Sequence, residues 1–326
     1  MNDASDGSAR QVAIGIDLGG HGLKAVLVDQ TAQVLVERVQ PLTKEERSQS
    51  EVEKHIAELV ATLRDQHSGT DMVPVGVGIP GFLEGEAGLL RSSPNFPGWE
   101  NLPVGERLSE LLGHSVTVEN DANCALLGES WAGAAAGREN VLLVTLGTGV
   151  GTAALVRGQL LSGARGLSPE GGHIPLYAGG RRCGCGLRGC LEAYASGPGL
   201  LTTAEEAWFE EGRSEPLDAK SALDVFAAET AAGGPEAEHW ASRAIERYCL
   251  DLAQGIASMV HLLAPDMILL AGGMSGAFSR IGPPIQTALK KRCVPAFCEP
   301  QLTVARAALG DFSGAVGAAR LALQSD

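Results

Sequence analysis

A chain of 326 residues with 44% hydrophobic and 20% charged residues is too long for one ordinary core and too apolar to be disordered, which leaves two domains or one large α/β unit. A formal charge of -14, with no cationic cluster beyond the solvated pair Arg181-Arg182, excludes a surface built for nucleic-acid phosphates. No apolar run reaches the roughly 20 residues of a bilayer span and the start, MNDASDGSARQ, has no apolar h-region, so no membrane partner and a cytoplasmic location are expected.

In chain order, the β-branched run VAIGID, the glycine turn Leu18-Gly19-Gly20-His21-Gly22 and the run LKAVLVD read as strand, turn, strand. A polar stretch from Lys44 to Gln66 reads as a helix, VPVGVGIP as a strand ending at Pro80-Gly81, and HSVTVEN as a strand followed by a helix from Asp121. The first unit recurs from Val141 as VLLVT, Leu146-Gly147-Thr148-Gly149-Val150-Gly151 and TAALV. Past the cysteines the chain is expected to be helical to His261. The strand DMILLAGG, a helix from Gly276, a strand near LTVAR and a helix from Asp311 follow. Strands alternating with helices point to α/β architecture. The expected lobes are 1–120, with helix 312–326 packing back on it, and 121–311.

Glycines number 43 against 4% aromatics, a bias that suits tight turns and close backbone approach to a ligand. In Asp17-Leu-Gly19-Gly20, glycine N–H groups suit phosphate oxygens and the acid suits Mg²⁺, although turn chemistry alone accounts for both residue types. Gly147, Thr148 and Gly149 form a second such turn, and Gly272-Gly273 follows a buried strand where backbone can lie against a nucleoside. His173, Cys183, Cys185 and Cys190 are spaced His-x9-Cys-x-Cys-x4-Cys, four ligands for a closed zinc site in a reducing compartment. Cys124, Cys249, Cys293 and Cys298 are scattered and read as buried thiols. At Asn120-Asp121 a strand meets a helix, and local sequence leaves Asp121 open as a cap or as a catalytic carboxylate.

Asp-x-Gly-Gly, Glu119-Asn120-Asp121-Ala122-Asn123, Leu-Gly-Thr-Gly-Val-Gly, Glu170-Gly-Gly-His173 and Cys-x-Cys-Gly-x-x-Gly-Cys-x-Glu occur in that order. Together, from about Ile14 to the final helix, they resemble the ROK family of bacterial sugar kinases and related repressors. The resemblance implies an actin-like, hexokinase-type fold, two lobes of duplicated ribonuclease H-like domains closing over ATP and sugar, with a zinc-bound loop. It makes Asp121 the general base of phosphoryl transfer and offers Asn95, Asn120, Asp121, Glu170, His173 and Glu192 as sugar ligands. Asn95, between two prolines, also reads as a plain turn residue. Asp17, Gly19, Gly20, His21, Lys24, Gly147, Thr148, Gly149, Gly272 and Gly273 are the expected nucleotide and Mg²⁺ contacts. Zinc would fix the loop bearing Glu170 and Glu192, with His173 holding metal through one ring nitrogen and a sugar oxygen through the other.

Many family kinases carry Asp-x-Gly-Gly-Thr-Lys where this chain has His21 and Gly22. Lys24 lies on the same face of an extended strand as position 22 and restores the charge. Gly-x-Lys there also resembles polyphosphate glucokinases, which lack the cysteine cluster, so ATP is the expected donor. His21 reads equally as turn surface. Glucose is the first expected substrate, with N-acetylmannosamine, N-acetylglucosamine, fructose or allose as alternatives, and a homodimer or homotetramer is expected from the family. The rival reading, a sugar-responsive repressor or noncatalytic sensor, is disfavoured by the charge and by the short polar stretch before the first strand.

Overall fold

A computed structural model of the chain describes residues 11–66, 72–85, 88–237, 239–298 and 302–325. It divides into two units: Met1–Ala132 with Arg165–Leu167 and Phe312–Asp326, and Gly133–Ala164 with Ser168–Asp311.

Unit 1 begins with the antiparallel strands β1 (Val12–Gly19), β2 (Gly22–Asp29) and β3 (Val34–Pro41). Helix α1 (Gln49–Asp65) follows, capped by the Ser48 side chain, which accepts from the Glu51 N–H. Its buried stripe Val52, Ile56, Leu59, Val60 and Leu63 has helical spacing and meets the core side of the sheet. Next come β4 (Val75–Ile79), a small sheet of β5 (Leu83–Glu84), β6 (Leu89–Ser92) and β7 (Glu100–Pro103), then α2 (Val104–Leu112), β8 (Val116–Asn120) and α3 (Asp121–Ala132). The main sheet has the order β3-β2-β1-β4-β8, with β4 parallel to β1 and β8 parallel to β4.

Strand alternation divides β1 by task. Ile14, Ile16 and Leu18 pack in the core with α1, while Gly15 and Asp17 face the final helix, α10 (Ser313–Gln324). That helix lies almost on the backbone of its neighbours. A Cβ at Gly15 would stand 1.8 Å from the Ala315 carbonyl oxygen, and one at Gly317 would stand 1.7 Å from the Cys124 carbonyl oxygen in α3. Because backbone rather than a flexible side chain is in the way, Gly317→Ala is expected to cost about 3 kcal/mol. A fall in the denaturant midpoint at unchanged slope would register it. The same packing moves the expected boundary at Asn120: α3, and Asp121 with it, joins unit 1 because α10 is its neighbour. Residues 165–167 join unit 1 as well, where the Gly85 N–H donates to the Arg165 carbonyl at 2.9 Å.

Unit 2 repeats the plan. Its hairpin of β9 (Val141–Leu146) and β10 (Val150–Val156) is extended by β11 (Gln159–Leu160). The chain then forms α4 (Glu192–Ala195), α5 (Gly197–Glu210), α6 (Ala222–Ala231), α7 (Trp240–Leu263), β12 (Met267–Ala271), α8 (Phe278–Arg292), α9 (Pro295–Cys298) and β13 (Thr303–Arg306). Sheet order is β11-β10-β9-β12-β13, again an antiparallel set followed by two parallel strands. The core joins β9 and β12 to α5, α7 and α8. No helix among the described residues is long and apolar enough to cross a membrane.

Candidate functional site

In unit 1, Gly19 pairs with Gly22, leaving Gly20 and His21 at the tip of the β1–β2 turn, with His21 exposed. A Cβ at Gly22 would lie 2.4 Å from the Gln40 carbonyl oxygen, so β3 leaves no room for a side chain at that position. Lys24 stands directly across from Asp17 in the ladder and therefore on the same face of the sheet. The Asp17 carboxyl lies against Gly314, in the first turn of α10: a Cβ there would sit 2.6 Å from Asp17 Cγ. Asn95 is exposed in a turn stapled by the buried rings of Phe96 and Trp99, and its amide is close to Gly20, whose added Cβ would be 3.8 Å from Asn95 Cγ.

The junction of β8 and α3 separates two roles that the sequence left merged. Asn120, buried, is the cap: its Oδ1 accepts from the N–H groups of Ala122 at 3.0 Å and Asn123 at 3.2 Å, and its Nδ2 donates to the Gly81 carbonyl at 3.2 Å. Asp121 is thereby the first residue inside the helix, partly buried, with Oδ1 accepting from the Ala122 N–H at 2.9 Å. Burial raises its pKa above the ordinary value, and this outweighs the hydrogen bonds from the Ala122 N–H, its own N–H and Asn120 that act the other way. Glu119 receives the Asn120 N–H at 2.7 Å and Asn123 Nδ2 at 3.1 Å. Cys124 lies buried among these groups. Desolvation, then the charges of Glu119, Asp17 and Asp121, hold its thiol well above the usual range. Three carboxylates thus surround one apolar point, and Glu119 had gone unassigned in the sequence although it opens the Glu-Asn-Asp motif.

In unit 2 the second turn closes with the Gly147 N–H on the Gly149 carbonyl at 3.1 Å, leaving Thr148 exposed. Two other segments meet it. The Gly197 N–H, at the start of α5, donates to the Gly147 carbonyl at 2.8 Å, and a Cβ at Gly272 would stand 2.5 Å from the Leu146 carbonyl oxygen. Nothing lies within 4 Å of where a Cβ at Gly273 would be, so that residue presents open backbone. Gly197 was missed by the sequence reading, and its only local signal is the helix start Ser196-Gly-Pro-Gly.

Glu192 ties this turn to the cysteines. Its Oε2 accepts from the Val150 N–H at 3.0 Å, and its Oε1 from the Cys183 thiol at 3.3 Å. Glu170 is exposed, and the short turn after it is fixed by the Gly171 N–H on Thr152 Oγ1 at 2.8 Å. The ligand atoms of His173, Cys183, Cys185 and Cys190 all lie within 4.8 Å of one another. Cys185 Sγ to Cys190 Sγ is 3.7 Å and Cys183 Sγ to His173 Nδ1 is 3.8 Å. Tetrahedral zinc with bonds of about 2.0–2.3 Å needs neighbouring ligands about 3.5–3.8 Å apart; these two pairs have that spacing, and the four residues offer the donor set of a structural zinc site. His173 Nε2 is turned to Glu170 Oε2, 4.0 Å away.

Residues 13–325 match the ROK family. A glucokinase of Thermotoga maritima is 32% identical over 317 residues, 94% of this chain and 96% of that protein. An N-acetyl-D-glucosamine kinase of Escherichia coli is 31% identical over 320 residues, 95% and 98% of the two chains. The crystal structure of a ROK family glucokinase from Streptomyces griseus in complex with glucose and AMPPNP superposes with a TM-score of 0.79 at 28% identity, covering 96% of this chain and 99% of that one.

Proposed function

The chain belongs to the ROK family, and from that premise we propose that it is a sugar kinase transferring the γ-phosphoryl group of ATP to a hexose hydroxyl, with glucose to glucose 6-phosphate as the leading reaction. The relatives named glucokinase and the neighbour holding glucose and AMPPNP support the class and the donor. One observation carries the mechanism. Asn120 takes over the capping of α3, so the Asp121 carboxylate, raised in pKa by burial, is available as a base.

In the proposed reaction Asp121 accepts the proton of the sugar hydroxyl as that oxygen bonds to the γ-phosphorus, while the bond from phosphorus to the β-γ bridging oxygen breaks and ADP leaves. Backbone N–H groups of the turns at Gly19-Gly20 and Gly147-Thr148-Gly149 would cradle phosphates, with His21 at one tip, Lys24 adding charge and Gly272-Gly273 bordering the nucleoside. Asp17 would hold Mg²⁺, which neutralises phosphoryl oxygens when bound. Asn95, Asn120 and Asp121 of unit 1 and Glu170, His173 and Glu192 of unit 2 are the groups proposed for sugar hydroxyls. His173, Cys183, Cys185 and Cys190 would hold structural Zn²⁺. A cytoplasmic homo-oligomer remains the proposed setting.

ADP release over a panel of hexoses tests the reading. Glucose is expected to give the highest kcat/KM with ATP, with N-acetylglucosamine, N-acetylmannosamine, fructose and allose lower, and polyphosphate is expected to replace ATP poorly. Tight sugar binding with no turnover on any of them would make the chain a sensor instead.

A further inference from the structure

We propose that the buried ion pair between Glu229 and Arg280 is a positioning device for the nucleotide: it fixes α6 against the turn that follows β12 and so sets one wall for the nucleoside. This rests on the nucleotide reading of the two glycine turns in unit 2.

Glu229 is 3% exposed, and both of its carboxylate oxygens accept from Arg280 Nε at 2.8 Å, while Arg280 Nη2 stands 2.7 Å from Glu229 Oε1. Neither residue has a part in the proposed transfer. An ion pair held this far from water stabilises a fold little more than apolar side chains of the same volume would, because desolvation offsets its attraction. What it supplies is direction: a forked, charge-assisted contact has one geometry, whereas apolar packing can slide.

Both ends of the pair lie where direction matters. Arg280 is the third residue of α8, a helix reached from β12 through Gly272 and the short turn Gly273–Ala277. Gly272 and Gly273 are exposed there, with open space where Gly273 would carry a Cβ. Glu229 belongs to α6, whose buried residues are Val225 and Glu229, so the ion pair shares with one valine the anchoring of that helix. Ala222, the first residue of α6, precedes Glu229 by seven positions and therefore shares its helical face. That end of α6 meets both glycine turns at the start of α5. A Cβ at Gly197 would stand 3.2 Å from the Gly147 carbonyl oxygen, 3.6 Å from Met274 Sδ and 4.0 Å from Ala222 Cβ. The turns bearing Gly147 and Met274 are continuous with strands β9 and β12, whereas α6 belongs to no sheet. A capping box of Ser221 and Asp224 firms its first turn, so α6 moves as one body and the pair two turns along it decides how closely Ala222 approaches the other two segments.

The test is calorimetric titration of the zinc-loaded protein with AMPPNP and, separately, with glucose. In the double variant Glu229→Met with Arg280→Met, apolar chains of similar volume replace the pair. Its affinity for AMPPNP is expected to fall at least about tenfold and its KM for ATP to rise to match, while kcat, glucose affinity, zinc content and melting temperature stay near wild type. Glu229→Asp, which keeps both charges and shortens the reach by one methylene, is expected to fall between wild type and the double variant. AMPPNP affinity that neither variant changes, or that falls only in step with melting temperature or glucose affinity, overturns the proposal and leaves the nucleotide reading standing. Wild type that binds no AMPPNP overturns both.

Discussion

Asp121→Asn is expected to lower kcat by about 10²- to 10⁴-fold while leaving sugar affinity within a few fold of wild type. Asparagine keeps the shape and can still accept the Ala122 N–H, so the helix start is preserved; what disappears is the capacity to take a proton. Stability separates this from a structural effect. Burial raises the pKa of Asp121, so the folded state binds its proton more tightly than the unfolded state does. Its ionised form therefore costs stability at pH values above the folded pKa, and that cost fades as pH falls through the folded pKa and is gone below the unfolded value. A neutral asparagine removes the cost, and the variant should melt no lower than wild type at pH 7. The same shift sets the acid side of the rate profile. Because only ionised Asp121 serves as base, kcat should begin to fall at a higher pH than an aspartate of ordinary pKa, 3.8, would give. A variant retaining wild-type turnover would remove Asp121 from the chemistry.

Loss of zinc is the second large effect expected. Chelation, or Cys185→Ser, should raise the KM for sugar about tenfold or more, lower the melting temperature, and reduce kcat by a smaller factor. Glu192 explains why. Its Oε2 holds the Val150 N–H and it follows Cys190 by two residues, so disorder in the cysteine loop loosens the segment that carries this carboxylate. Asp121 and its cap lie in unit 1 and make none of these contacts, so the carboxylate proposed as base is expected to keep its place. Full sugar affinity in protein shown to be free of zinc would contradict this role for the metal.

Much of this was legible in the sequence for local reasons. The glycine turns at 19–22 and 147–149 are bracketed by β-branched runs, and each folds as a hairpin. His173, Cys183, Cys185 and Cys190 announced themselves by spacing, and the structure gathers their ligand atoms. What escaped depends on distant parts of the chain. The unit boundary turned on α3 meeting α10, a contact made through backbone at Gly128 and Gly317 that no periodicity records. Strands β5, β6 and β7 have two to four residues each, too few to display alternation. That Asn120 rather than Asp121 caps α3 could not be read without the two N–H bonds to Asn120. Glu192 was readable as a sugar ligand by resemblance, whereas its bond to Val150 spans 42 positions and left no trace.

The repeated plan of the two units explains why the short glycine turns recur at equivalent places. In each, a hairpin supplies a turn at the end of the sheet, and a parallel strand beside it ends near that turn: Gly78 of β4 pairs with Asp17, and Gly272 follows β12 against Leu146.

The most direct test is a single turnover with γ-labelled ATP and glucose at enzyme excess, run on wild type and Asp121→Asn with sugar binding measured in parallel. Label is expected to move to the sugar in wild type and to remain on ATP in the variant over the same interval, with glucose bound by both. Label that stays on ATP in wild type despite bound glucose, or that moves equally fast in the variant, would contradict the account.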